Sequence, residues 1–267
     1  MHTLDSVMMS LDCFDTVTVA ERADKQIKVR FIGEDIDGEH NTAFAAAKAV
    51  QERIGCNGFD IAIEKGIPIG GGLGGSSADG AAVLRALDVF YRLPERGVSM
   101  RETALAVGSD VPFMLTGGLA RVRGVGEDLF FIDNKLELFI VGLMSASVST
   151  KAAYAKFDAI HSGGEYCPTD TEKLCEHLLS GDKRALEHLG NALYAPAVEL
   201  EPSIADNIEA LKACGAAVNM TGSGGTALGY FTDIGAFYAC VQRLRGRPGF
   251  KVFAPAKTGV LHEWLQK

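Results

Sequence analysis

The sequence has no long uncharged apolar run and no sign of a targeting segment. A stretch of about 18 uncharged apolar residues is missing, and the N-terminus does not pair a basic segment with an apolar one. These absences argue against a transmembrane helix and a secretory signal. We therefore expect a cytoplasmic protein with no membrane partner.

Paired cysteines are also missing. The six cysteines form no Cys-x-x-Cys pair and have no histidine ladder beside them: Cys13, Cys56, Cys167, Cys175, Cys214 and Cys240. This scatter argues against a zinc site or a redox motif and predicts buried free thiols.

An excess of basic residues is the third absence. The formal net charge is −8, which argues against nucleic acid as a main partner. The 267 residues, 47% of them hydrophobic, suffice for one large domain or two modest ones with an ample core. An anionic ligand would then be held by backbone dipoles and a metal ion rather than by a basic surface.

Glycine, by contrast, is concentrated in one segment, Pro68-Ile69-Gly70-Gly71-Gly72-Leu73-Gly74-Gly75-Ser76-Ser77. Such a loop can adopt positive φ angles and direct successive amides toward one point. The helix predicted after it, from about Ser77 to Tyr91, adds unpaired amides and a partial positive charge. A polyphosphate fits this pattern, although neither the P-loop ending nor the dinucleotide fingerprint is present. The alternative is a flexible turn before a core helix.

Three glycine motifs, in order, resemble those of the GHMP kinase superfamily. The loop at 68–77 is the first, and Gly108-Ser109-Asp110-Val111-Pro112-Phe113 resembles the second, with 117–120 and 124–127 following it. Met220-Thr221-Gly222-Ser223-Gly224-Gly225 is similar to the C-terminal motif. The second motif is most similar to that of the branch that phosphorylates 4-diphosphocytidyl-2-C-methyl-D-erythritol in non-mevalonate isoprenoid biosynthesis. The resemblance implies an ATP-dependent kinase for this cytidine-diphosphate-linked methylerythritol; the alternatives are a homoserine or sugar kinase, or a non-catalytic nucleotide-binding relative.

The order of predicted elements indicates an α+β architecture. Period-two patterns predict strands at 16–19, 26–32 and 59–64. Further strand-like segments are 119–125, 129–132 and 136–143, a hairpin of 217–220 with 226–231, and a last strand at 251–253. Helical patterns cover about 41–54, 77–91, 100–107, much of 150–214, and 234–244. The resemblance implies an S5-like domain at 1–144, a ferredoxin-like domain at 145–267, and an active site in the cleft between them.

Asp110 is the candidate catalytic base. Local residues alone favour a helix cap, because Ser109, Asp110 and Pro112 are typical of a helix start. The family motif, whose aspartate accepts the proton of the acceptor hydroxyl, favours the catalytic role, with Asp110 also contacting substrate.

The remaining ligand contacts are expected at the loop and near the acceptor. The loop residues, Pro68 and 70–77, would bind ATP, and Ser77 or Ser76 would reach a phosphate or the Mg²⁺ ion unless it only caps the helix. The C-terminal motif would shape the substrate side through Thr221, Gly222 and Ser223, unless it is only a hairpin turn. The segment 148–154 resembles the branch's Val-Ser-Thr-x-x-Ala-Tyr, which implies substrate contacts from Thr150 and Tyr154; Tyr154 would stack on cytosine, unless it packs between helices.

The start of the sequence departs from the family pattern. His2-Thr3-Leu4 resembles the end of Gly-Tyr-His-x-Leu, whose histidine binds the cytosine, but Met1 stands where the tyrosine would be. The family's earlier Lys-x-Asn-Leu strand has no counterpart, and Lys28 and Lys65 are not expected to replace its lysine. We favour a late start of the sequence over a degenerate relative. The oligomeric state is left open, a homodimer included.

Overall fold

The computed structural model describes residues 3–35, 38, 41–162 and 168–260. The chain divides into two compact units. The first comprises 1–67, 74–131 and 256–267, and the second comprises 68–73 and 132–255. Each unit therefore combines segments that are distant in sequence.

Two three-stranded sheets form the β structure described in the first unit. Their strand orders are β1-β5-β6 and β2-β4-β3. All pairs are antiparallel except β3 with β4, which is parallel. The strands are β1 (Leu4–Met9), β2 (Thr16–Glu21), β3 (Ile27–Phe31), β4 (Phe59–Glu64), β5 (Leu119–Gly124) and β6 (Asp128–Phe131). The central strand β4 leads directly to the glycine loop.

Two long helices of the first unit pack on the β2-β4-β3 strands, and two shorter ones pack on those helices. They are α1 (Thr42–Ile54), α2 (Gly75–Tyr91), α3 (Met100–Val107) and α4 (Val111–Thr116), with a 3-10 helix at Leu93–Arg96. The Asn41 side chain accepts a hydrogen bond from the Phe44 amide and caps α1, as predicted. Apolar residues of α1, β4 and α2, including Val50, Ile61 and Leu84, form one buried core.

The second unit is an antiparallel sheet covered by helices. Its strand order is β10-β7-β9-β8, built from β7 (Phe139–Met144), β8 (Ala217–Met220), β9 (Thr226–Phe231) and β10 (Phe250–Phe253). The helices are α5 (Thr150–Ile160), α6 (Thr171–Ser180), α7 (Tyr194–Leu200), α8 (Ser203–Lys212) and α9 (Ile234–Leu244), with a 3-10 helix at Lys183–His188. Val141, Ile204 and Leu211 lie in its core.

The α+β class is confirmed, and β4, α3, α9 and the β8–β9 hairpin have the predicted bounds. Two elements differ most from expectation. Strand β1 was not predicted, because Leu4–Met9 mixes methionine and serine without strong alternation. Helix α2 begins at Gly75 rather than Ser77. The predicted domain boundary at 144 stays a prediction, and the compact units do not follow sequence order.

Two of the five described cysteines are buried. Cys175 and Cys240 are buried, whereas Cys13, Cys56 and Cys214 are only partly covered, so the expectation of buried thiols holds for part of the set. Cys167 lies outside the described residues. Within the described ranges, the helices are too short or too polar to cross a lipid bilayer.

Candidate active site

The chain passes from one unit to the other inside the glycine loop. Pro68 to Leu73 belong to the second unit, and the residues from Gly74 onward belong to the first. The two halves of the loop thus have different surroundings.

The first half of the loop lies against the C-terminal glycine motif. The Thr226 hydroxyl donates to the Gly71 carbonyl at 2.7 Å, and the Thr221 hydroxyl donates to the Gly72 carbonyl at 3.1 Å. A Cβ atom on Gly72, whose φ is +70°, would lie 2.5 Å from the Gly224 carbonyl oxygen. Glycine is therefore required here by the approach of one backbone to another. The motif joins β8 to β9 and also contacts the loop, so it is more than a hairpin turn.

The second half of the loop begins helix α2 without a side-chain cap. Gly74 is the N-cap, with φ of +72°, and neither serine caps the helix. The Ser76 hydroxyl lies 2.5 Å from the Thr42 hydroxyl at the start of α1. The Ser77 hydroxyl has no hydrogen-bond partner among the residues that the structure describes. The capping alternative for the serines is therefore wrong. Of the two, only Ser77 has a hydroxyl without a partner among the described residues.

Six consecutive amides of the loop, from Gly72 to Ser77, donate no hydrogen bond to any residue in the described part of the chain. The first amide beyond them that is paired belongs to Ala78, which donates to the Gly74 carbonyl. Backbone donors are nearly always paired with protein, solvent or ligand. A run of six at a helix start is the donor set that a phosphate requires.

Side chains added at Gly74 and Gly75 would meet other protein atoms of the first unit. A Cβ on Gly74 would lie 2.3 Å from the Met114 methyl carbon, and one on Gly75 would lie 3.2 Å from Ile67 and 3.3 Å from the Lys65 nitrogen. A side chain at Gly74 would displace the flexible end of Met114, and one at Gly75 would require small shifts of Ile67 and Lys65.

Asp110 immediately precedes helix α4. It occupies the N-cap position, but its carboxylate makes no capping hydrogen bond, and Ser109, expected as the cap, does not fill that position. The Ser109 hydroxyl lies 3.4 Å from the Asp110 carboxylate. Burial raises the pKa of Asp110, and the contact with Ser109 only partly opposes that change. The carboxylate is not used as a helix cap, which was the structural alternative to a catalytic role.

A buried ionic cluster that the sequence did not reveal lies beneath the loop. The Lys65 ammonium is bonded to the carboxylates of Asp15 and Asp79, the latter at 2.9 Å. Burial raises the pKa of Asp79 to about 7, although the Lys65 hydrogen bond lowers it. Burial lowers the pKa of Lys65, but hydrogen bonds to the two carboxylates reverse this, so the net change is upward.

The predicted acceptor residues of the second unit are neutral. The hydroxyls of Thr150 and Ser223 lie 2.8 Å apart, which joins the start of α5 to the glycine motif. Gly222 is exposed at the tip of this motif. Tyr154 is half-buried and packs against the core of the second unit. Such packing is the structural role that was the alternative to stacking on cytosine.

Asn191 is a further residue that sequence reasoning missed. Its amide donates to the carbonyls of Met220 at 2.7 Å and Gly222 at 2.9 Å, while its oxygen accepts from the Leu193 amide. It thereby braces the glycine motif. In the sequence, only the position of Asn191 shortly before a helix could have indicated this role. His2 lies outside the described residues.

Similarity to known proteins agrees with this arrangement. Residues 41–118 match the family described as GHMP kinases N terminal domain. The chain is 35% identical over 240 residues to the 4-diphosphocytidyl-2-C-methyl-D-erythritol kinase of Cutibacterium acnes, covering 84% of this chain and 76% of that protein. For the enzyme of the same name from Alkaliphilus metalliredigens, the identity is 30% over 248 residues, covering 91% and 84%.

Solved structures show the same fold. A crystal structure of 4-(cytidine 5'-diphospho)-2C-methyl-D-erythritol kinase superimposes with a TM-score of 0.75 at 28% identity, covering 95% of this chain and 90% of that one. A homoserine kinase from Cytophaga hutchinsonii gives a TM-score of 0.70 at 20% identity, covering 95% and 89%, which reflects the fold alone.

Proposed function

The chain belongs to the family of 4-diphosphocytidyl-2-C-methyl-D-erythritol kinases, a branch of the GHMP kinases, and we propose that it catalyses this family's reaction. The γ-phosphoryl group of ATP is transferred to a hydroxyl of 4-diphosphocytidyl-2-C-methyl-D-erythritol. This places the protein in the biosynthesis of isoprenoid precursors. Because ATP is plentiful in the cytoplasm, we propose that compartment for the activity.

The six amides from Gly72 to Ser77, which have no partner among the described residues, carry the proposal. Phosphoryl transfer is promoted mainly by positioning and by electrostatic stabilisation of the phosphate oxygens. Amides at a helix N-terminus supply both without a basic surface, which suits a chain with a net charge of −8. Pro68, Gly70 and Gly71 complete the proposed ATP-binding loop.

Asp110 is proposed as the general base. A carboxylate with a raised pKa is a better proton acceptor for a hydroxyl than an ordinary one. Asp110 has this property because it is buried, and its oxygens are free of a capping role. In this role it orients the acceptor hydroxyl and takes its proton as the new P–O bond forms.

Ser77 fits a role as an oxygen ligand for Mg²⁺, because its hydroxyl has no partner in the described part of the chain. Bound Mg²⁺ would neutralise phosphate charge, as it does generally in phosphoryl transfer. Ser76 is less suited, since its hydroxyl is shared with Thr42.

The acceptor contacts are proposed for both ends of the sequence. Thr150, Thr221, Gly222 and Ser223 offer neutral hydrogen-bonding groups, which suit a polyol diphosphate. Tyr154 and His2 are assigned to the cytosine by the resemblance of their motifs.

An acceptor panel tests the function. The purified chain is incubated with ATP, Mg²⁺ and one of three acceptors: 4-diphosphocytidyl-2-C-methyl-D-erythritol, homoserine or galactose. We expect ADP release only with the cytidine-linked acceptor and a phosphate monoester in the phosphorus NMR spectrum. Turnover of homoserine or galactose would assign a different acceptor, and ATP binding without any turnover would favour a non-catalytic relative.

A further inference from the structure

The cluster of Asp15, Lys65 and Asp79, here called the loop clamp, is almost completely buried. The exposed fractions of these side chains are 2%, 9% and 5%, respectively. The second oxygen of Asp79 is also buried and has no hydrogen-bond partner among the described residues. Removing three charges and an unpaired oxygen from water is costly, and a buried ion pair often adds no net stability. The clamp therefore calls for an explanation other than stabilisation of the fold.

Asp15 holds the chain where it enters the glycine loop. One of its carboxylate oxygens accepts hydrogen bonds from the amides of Gly66 at 2.7 Å and Ile67 at 2.8 Å. The other oxygen accepts from the Lys65 ammonium. Three consecutive residues after β4 are thus fixed to the residue that precedes β2.

Lys65 holds the chain where it leaves the loop. Its ammonium donates to Asp79, which lies in the second turn of α2, at 2.9 Å. The start of the helix rests on the same group, because a Cβ atom on Gly75 would lie only 3.3 Å from the Lys65 nitrogen. One ammonium therefore ties the strand before the loop to the helix after it.

We propose that Asp15, Lys65 and Asp79 are positioning residues that hold the two ends of the glycine loop together and thereby set the affinity for ATP. With both ends fixed, the amides from Gly72 to Ser77 lose less conformational freedom when a phosphate binds. The inference rests on the proposed function, since it takes ATP to be the ligand of the loop. Asp110 and the acceptor residues are not members of the clamp.

Asp79→Asn tests the clamp while conserving the shape of the side chain. The matched control is Asp60→Asn. Asp60 lies on β4, and its exposed carboxylate forms an ion pair with Arg22. We expect Asp79→Asn to weaken ATP binding by about tenfold by calorimetry, since preorganisation is lost. At saturating ATP, kcat and the KM of the acceptor should stay within about twofold. Asp60→Asn should leave all three values unchanged.

Hydrogen exchange of the ATP-free protein tests the clamp independently of activity. The amides from Gly72 to Ser77 should exchange faster in Asp79→Asn than in the unaltered chain, with no change in Asp60→Asn. Lys65→Met should give a larger effect. If it fails to fold because two carboxylates are left buried without a cation, Lys65→Met/Asp79→Asn removes one of these charges.

The outcomes separate the clamp from the function. Unchanged ATP affinity and unchanged loop exchange in folded Asp79→Asn would overturn the clamp, and so would equal losses in ATP affinity, acceptor affinity and kcat. If the unaltered chain does not bind ATP, the proposed function is wrong, and so is the proposed effect of the clamp on ATP affinity. Hydrogen exchange of the loop amides would still decide whether the clamp orders the loop.

Discussion

The candidate residues of the first unit include several charged side chains, whereas those described in the second are neutral. Asp110 and the loop clamp place three carboxylates and one ammonium in the first unit. The second unit offers the hydroxyls of Thr150, Thr221 and Ser223 and the amide of Asn191. Charge suits proton transfer and the ordering of a phosphate loop, while hydroxyls and amides suit recognition by hydrogen bonds. Substitutions of these charged residues in the first unit should therefore alter kcat or ATP affinity. Substitutions of Thr150 and Ser223 in the second unit should alter the KM of the acceptor.

The largest effect should come from Asp110→Asn, which keeps the shape and removes the proton acceptor. We expect kcat to fall by about a hundredfold or more with ATP affinity unchanged. Steady-state kinetics and calorimetry measure the two quantities. An unchanged kcat would show that Asp110 does not act in the chemical step, and the contrast drawn between the two units would then be wrong.

The pH profile of the unaltered chain is the control for this prediction. Burial raises the pKa of Asp110, and the base is the deprotonated form. Activity should therefore fall as the pH drops through this raised value, with a midpoint above about 3.9, the ordinary value for aspartate. A midpoint at or below it would contradict the assignment.

An intermediate effect should distinguish the two halves of the glycine loop. Gly72 and Gly74 have nearly equal φ angles of +70° and +72°, so Gly72→Ala and Gly74→Ala share the same backbone strain. The new methyl group meets carbonyl oxygens at Gly72 but only the end of the Met114 side chain at Gly74. We expect Gly72→Ala to lower the free energy of unfolding by about 1–2 kcal/mol more than Gly74→Ala.

Urea denaturation measures this difference. Met114→Ala should recover part of the loss in Gly74→Ala, because it removes the atom that the methyl group meets. Equal losses in the two glycine variants would show that strain, rather than the neighbouring atoms, determines the need for glycine.

The smallest effect should come from the hydroxyl pair of the second unit. Thr150→Val and Ser223→Ala each remove one partner of a 2.8 Å contact. Since an exposed neutral hydrogen bond contributes about 1 kcal/mol, the KM of the acceptor should rise a few-fold, with kcat nearly unchanged. In the double variant the losses should be less than additive. A selective loss of ATP affinity would instead assign these two hydroxyls to ATP binding and contradict the prediction.

Local patterns predicted most of the elements but not the contacts among distant residues. The alternation in Phe59–Glu64 and the cap at Asn41 are local signals, and both are confirmed. The loop clamp could not be predicted, because Asp15 and Lys65 are 50 positions apart and neither lies in a recognisable motif. In the sequence, Lys65 simply follows the predicted strand at 59–64. The glycines of the loop indicated a special backbone, but the sequence did not show which protein atoms lie beside them.

The bonds from Thr221 and Thr226 to the glycine loop limit how the loop can be transplanted. The part of the chain that matches the N-terminal family domain, residues 41–118, contains the whole loop but neither threonine. A chimera that inherited only this part would carry the glycines without the hydroxyls that hold the carbonyls of Gly71 and Gly72. Recombination during evolution faces the same restriction, so the loop and the segment 221–226 are expected to be inherited together.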